Sequence, residues 1–67
     1  MLTEKAGALA GTIWNALNGT EGLTLKQLKK ATGLRSEKDL YLGMGWLLRE
    51  GKLETSEEEG DIFVKLA

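Results

Sequence analysis

Residues 24–54, TLKQLKKATGLRSEKDLYLGMGWLLREGKLE, constrain the fold more than any other stretch. They hold two helix starts separated by one short break. Thr24-Leu25-Lys26-Gln27 has the form of a capping box: the Thr24 hydroxyl accepts the Gln27 amide while the Gln27 side chain reaches back to the Thr24 amide. Leu25, Leu28 and Ala31 then recur at the spacing of an inward face, and Thr32-Gly33 stops the helix. Beyond Leu34 and Arg35, Ser36 is a second N-cap, with an acid at Asp39 near the positive end of the next helix. That helix runs from about residue 37 to 50, with Gly51 as its stop. Two helices joined by a short turn containing Gly make a helix-turn-helix arrangement.

On a wheel of about 100° per residue, Leu40, Met44, Leu47 and Leu48 cluster on one side of this third helix. They form its expected core face, with Tyr41 at the edge. Lys38, Leu42, Gly45, Trp46 and Arg49 fall opposite.

The flanks complete the pattern. A first helix is expected over about 3–18, with Thr3 as N-cap and Glu4 in its first turn. Its apolar stripe is Ala6, Leu9, Ala10, Ile13, Ala16 and Leu17, bordered by Trp14, and Asn18-Gly19 ends it. Gly7 and Gly11 lie four apart and suit a close approach by another helix. After the third helix comes a hairpin over about 52–66. Leu53 and Thr55 share one face, Glu57-Glu58-Glu59-Gly60 reads as the turn, and Ile62, Val64 and Leu66 share a face of the return strand. A further short strand is expected at Gly22-Leu23, before the second helix. The order α-(β)-α-α-β-β describes one mostly helical α+β domain spanning 1–67, a winged helix-turn-helix with the hairpin as wing, and helices at about 3–18, 25–32 and 37–50.

The residues IWNALN at 13–18, LKKATGL at 28–34 and DLYLGMGWLLREGK at 39–52 carry a resemblance. The chain is similar over about residues 6–66 to a family of small, stand-alone winged helix-turn-helix proteins of bacteria and archaea, largely uncharacterised in function. The matching pieces are packing and turn patterns. The resemblance therefore implies the fold, and it implies DNA binding only by analogy of fold.

Composition narrows the chemistry. The chain has no cysteine, so a disulfide or thiolate metal site is excluded, and no histidine, the commonest general base and metal ligand. Its glycines match no phosphate-binding loop. The acidic run 57–59 lacks the ligand spacing of a calcium loop. A non-enzymatic binding module is expected, with no cofactor, no metal and no small-molecule substrate. No segment has the roughly 20 apolar residues of a membrane span, and the start MLTEKAGALAG lacks the basic region and long apolar core of a secretory signal. A cytoplasmic protein is the default.

The formal charge of −1 conceals a split. Residues 24–38 carry five cations against Glu37, a balance of +4, whereas residues 39–67 carry three cations against seven acids, a balance of −4. Such runs often only solvate a surface. Read functionally, Lys26, Lys29, Lys30 and Arg35 would grip phosphates of double-stranded DNA, while Lys38, Tyr41 and Leu42 enter a groove. Two features oppose this. The outer side of the third helix offers no Asn, Gln or Ser for base edges, and the wing tip is Glu57-Glu58-Glu59. The alternative is a protein-interaction or homodimerisation face built on Leu42, Trp46 and Arg49, since a Trp with an aliphatic neighbour and an Arg is common hot-spot chemistry. The bland reading of Trp46 is packing within its own chain.

Overall fold

The computed structural model describes residues 2–67. It consists of α1 (Leu2–Leu17), β1 (Leu23–Thr24), α2 (Leu25–Thr32), α3 (Glu37–Arg49), β2 (Leu53–Glu58) and β3 (Asp61–Leu66). The strands form one antiparallel sheet in the order β1-β3-β2, so the fold is α+β, three helices and a three-stranded sheet.

Local chemistry accounts for the helix-turn-helix. The Thr24 hydroxyl accepts from the Gln27 amide at 3.2 Å, and the Thr24 amide donates to Gln27 Oε1 at 3.0 Å, so both halves of the capping box are formed. Gly33 closes α2 with φ +72°, a left-handed conformation suited to glycine, and its amide donates to the Lys29 carbonyl. The Ser36 hydroxyl accepts the Asp39 amide at 3.4 Å and starts α3. At the other end of α3, Gly51 donates to the Leu48 carbonyl and Lys52 to the Leu47 carbonyl, the paired bonds of a Schellman motif.

Ala6, Ala10, Ile13 and Leu17 of α1, Leu28 of α2, Leu40, Met44 and Leu47 of α3, Leu53 of β2 and Val64 of β3 form the core. Among the described residues no polar or charged side chain is buried. The register Leu53↔Leu66, Thr55↔Val64 and Glu57↔Ile62 puts Leu53, Val64, Leu66 and Ile62 on the face that meets the core, Thr55 and Glu57 on it remaining exposed, and Val64 pairs across to Leu23. The short strand therefore sits one residue later than the expected Gly22-Leu23.

Four local expectations are corrected. Thr3 is not an N-cap, because α1 already includes Leu2; burial of the Ala6–Leu17 stripe holds this helix rather than a hydroxyl at its start. Ala31 is exposed, since the eight-residue α2 turns a narrow stripe inward along Leu25, Leu28 and Thr32, and the Thr32 hydroxyl donates to the Leu28 carbonyl at 2.8 Å. The acidic segment is mostly strand. β2 extends through Glu58, and only Glu59 and Gly60, at φ +51° and +81°, make the turn. Left-handed dihedrals at both positions match the right-handed twist of a hairpin.

The fourth correction fixes what the domain presents to a partner. Leu48 is 44% exposed, whereas Trp46 is half-buried against the core. The buried stripe of α3 is Leu40, Gly43, Met44 and Leu47. It is rotated toward Gly43 because α1 and α3 approach closely there. A Cβ on Gly43 would stand 2.6 Å from Ile13 Cδ1 and 3.0 Å from the Leu9 carbonyl carbon and Cβ. A wheel weighted by hydrophobic side chains gives no weight to a residue that has none.

Candidate nucleic-acid interface

The second helix and the turn assemble one basic face. Lys26, Lys29 and Lys30 of α2 and Arg35 of the turn line an open hollow of about 620 Å³, floored in part by Gly33 and Leu34. Leu34 packs against the core and its amide donates to the Thr32 hydroxyl at 3.3 Å, so the turn that carries Arg35 is anchored at both levels. A second hollow, of about 320 Å³, joins Lys26 and Lys29 to Glu37, Leu40 and Tyr41. The two lysines thus connect the basic face to the start of α3. Lys38 is exposed in that first turn.

Ion pairing decides how much of this charge is available. Lys29 Nζ lies 3.8 Å from Glu37 Oε1, with both side chains well exposed, so solvent screens the contact. Asp39 is engaged elsewhere, 3.2 Å from Lys5 of α1. Among the described residues Lys26, Lys30, Arg35 and Lys38 form no ion pair. The +4 balance of residues 24–38 is therefore gathered on a surface and largely unneutralised.

The remaining candidates separate. Tyr41 is 50% exposed beside the basic face. Leu42 lies on the flank turned toward Trp46 and is half-buried, about 100° around the helix from Tyr41. Trp46, expected on the outer side, instead lines a hollow of about 290 Å³ between α1 and α3 with Gly7, Ala10, Gly11 and Trp14. Arg49 is exposed in the last turn. The solvent-facing arc of α3 consequently runs through Lys38, Tyr41, Gly45, Leu48 and Arg49. Leu48 was missed as a surface residue, and the two small residues Gly43 and Gly45 were the only signal that could have shown the rotation.

The wing has the opposite character. Glu54 pairs with Lys65 across the strands at 3.6 Å. Asp61 Oδ1 accepts the Ile62 amide at 2.8 Å. Among the described residues Glu57, Glu58, Glu59 and Asp61 have no cation partner. Three of these acids, with Thr24 and Phe63, line an open hollow of about 690 Å³ on the outer side of the sheet. Phe63 is held there by the chain before β1: its ring edge fills the space where a side chain on Gly22 would stand.

The family model described as "Winged helix-turn-helix domain (DUF2582)" matches residues 1–66. The chain belongs to this winged helix-turn-helix family. Its wing is the β2–β3 hairpin, and its helix-turn-helix is α2 and α3. A comparison with curated proteins gives no match. No helix among the described residues of this family member is long and apolar enough to cross a membrane.

Proposed function

We propose that this winged helix domain binds double-stranded DNA as a non-enzymatic, transcription-regulator type of protein acting in the cytoplasm. One observation carries the reading: Lys26, Lys30 and Arg35 sit together across α2 and the turn with no ion-pair partner among the described residues. In a helix-turn-helix the first helix of the motif crosses the phosphate backbone and the second enters the major groove with its N-terminal residues at the bases. Here α2 supplies the phosphate-binding lysines, and Arg35 and Lys38 flank the positive end of the α3 dipole. Tyr41, with its hydroxyl and exposed ring, is the groove-facing side chain, and Leu42 contributes at the flank. The acidic wing adjoins this face and repels phosphate, so the footprint is one-sided and the affinity modest.

Fluorescence anisotropy with a labelled duplex of about 20 base pairs tests this. Non-specific binding on the order of 10⁻⁴–10⁻⁶ M is expected, weakening as salt rises. Each neutralised phosphate contributes about −0.9 to the logarithmic salt slope, so Lys26→Gln with Lys30→Gln should flatten it by roughly 2. No binding at low salt, or a slope unaffected by the double change, refutes the reading.

A second reading is favoured by a different observation. Tyr41 and Leu48 are large, exposed and apolar on the outer arc of α3, with Gly45 open between them. A protein-interaction or homodimerisation face would use them with Arg49. Leu42 and Trp46 would contribute only their exposed edges.

A further inference from the structure

Two surfaces of opposite sign are left unsatisfied within the molecule. On one, Lys26, Lys30 and Arg35 have no ion-pair partner among the described residues; on the other, Glu57, Glu58, Glu59 and Asp61 have none. The surfaces adjoin. Thr24, the last residue of β1, borders the acidic hollow, and Lys26, two residues further on, borders the basic one. The wing cannot fold over to neutralise its neighbour. Its strands are paired from Leu53↔Leu66 to Glu58↔Asp61 and closed by a two-residue turn, which leaves no slack at the tip.

Adjoining patches of opposite sign are self-complementary under a two-fold rotation, because each positive patch then meets the negative patch of the other copy. We propose that a second copy of this chain docks on this surface, the wing tip of each protomer lying over the Lys26–Arg35 face of its partner. Charge selects this occupant. A nucleic acid would satisfy the cations but leave the wing carboxylates facing phosphate. A metal ion would need converging ligands, and among the described residues no three carboxylates are grouped to hold one. A second copy satisfies both surfaces at once, twice over.

The contacts are exposed ion pairs, individually weak and screened by salt. Association therefore belongs to low ionic strength, where the Debye length is about 30 Å at 0.01 M against about 8 Å at 0.15 M. The cations involved are those assigned above to DNA. If that reading holds, the dimer and the DNA complex exclude each other and the wing acts as a competitor of phosphate. The docking itself does not depend on it.

Sedimentation velocity over a concentration series, at about 0.01 M and about 0.15 M salt, tests the proposal with three proteins. They are the wild type, a wing-neutral variant (Glu57→Gln, Glu58→Gln, Glu59→Gln) and a face-neutral variant (Lys26→Gln, Lys30→Gln, Arg35→Gln). All six changes fall on exposed side chains and leave the core untouched, and circular dichroism verifies folding. The wild type should associate toward dimer at the lower salt and revert to monomer at the higher. Each variant alone should associate at least about fivefold more weakly, the loss expected for several exposed pairs. An equimolar mixture of the two variants should recover part of the association, since one of the two contacts is intact in the mixed dimer. A wild type that stays monomeric at low salt, association indifferent to either variant, or a mixture no better than its components overturns the proposal. Duplex titration of the wing-neutral variant separates the two ideas. If it binds no DNA while the wild type dimerises, the DNA reading falls and the docking stands. If it binds DNA while the wild type stays monomeric, the reverse holds.

Discussion

Replacing Gly43 and Gly45 by Ala, one at a time, probes the contact that orients α3. Both residues lie inside the same helix, two positions apart, and neither has a positive φ. Ala is favoured over Gly in a helix interior by about 1 kcal/mol, and this gain is common to both variants. The environments differ. A Cβ at position 45 meets nothing within 4 Å. A Cβ at position 43 meets Ile13 Cδ1 at 2.6 Å and the backbone and Cβ of Leu9 at 3.0 Å. Ile13 is fully buried, so its methyl has no free space to rotate into, and the Leu9 contact can relax only by moving the helices apart. Overpacking of this kind costs about 1–3 kcal/mol. Gly45→Ala should therefore stabilise by up to about 1 kcal/mol, and Gly43→Ala should be neutral to about 2 kcal/mol destabilising once the shared helix gain is deducted. The difference between them isolates the steric cost. With a urea dependence near 1 kcal/mol/M for a small domain, their midpoints should differ by roughly 1–3 M. Urea titration followed by far-ultraviolet circular dichroism measures this directly. Equal midpoints would refute the close α1–α3 approach and, with it, the assignment of Tyr41 and Leu48 to the outer arc.

Leu47→Ala should destabilise by about 2–5 kcal/mol, enough to unfold much of a domain this small, whereas Leu48→Ala should stay within about 0.5 kcal/mol; denaturation midpoints that move together would contradict the burial of one and the exposure of the other. Trp46→Ala should lower thermal stability without changing the sedimenting species, because the ring packs against its own core; an unchanged melting temperature together with a loss of dimer would instead assign Trp46 to an interface. The Lys26→Gln, Lys30→Gln duplex titration bears on the basic face alone and should leave the melting temperature within a degree or two, since exposed charges contribute little to stability.

What the amino-acid sequence determined by itself is the set of features built from neighbours in the chain. The Thr24–Gln27 capping box, the Gly33 stop, the Ser36 cap and the Gly51 stop each involve groups within a few residues of one another, so their chemistry is complete in the local text. Together they place α2 and α3 close to their observed bounds and, with the alternation in β3, make the winged helix order legible. The charge imbalance is legible for the same reason, as a count. Tertiary structure decided what no local window contains. Which side of α3 faces solvent depended on how near α1 could come, and that was set at Gly43 by the absence of a side chain. Hydrophobic periodicity records the groups a helix presents, so a contact made by leaving a group out is invisible to it. Trp46 was drawn inward and Leu48 turned outward as a result. The run Glu57–Gly60 could bend at several places; pairing with β3 chose Glu59-Gly60. Charge availability was likewise a tertiary outcome. Lys5 took Asp39, Lys29 met Glu37 and Lys65 met Glu54, while among the described residues the other cations of the basic face and the carboxylates at the wing tip found no partner within reach. Coulombic pairing depends on separation in space, and only the packed chain sets that separation.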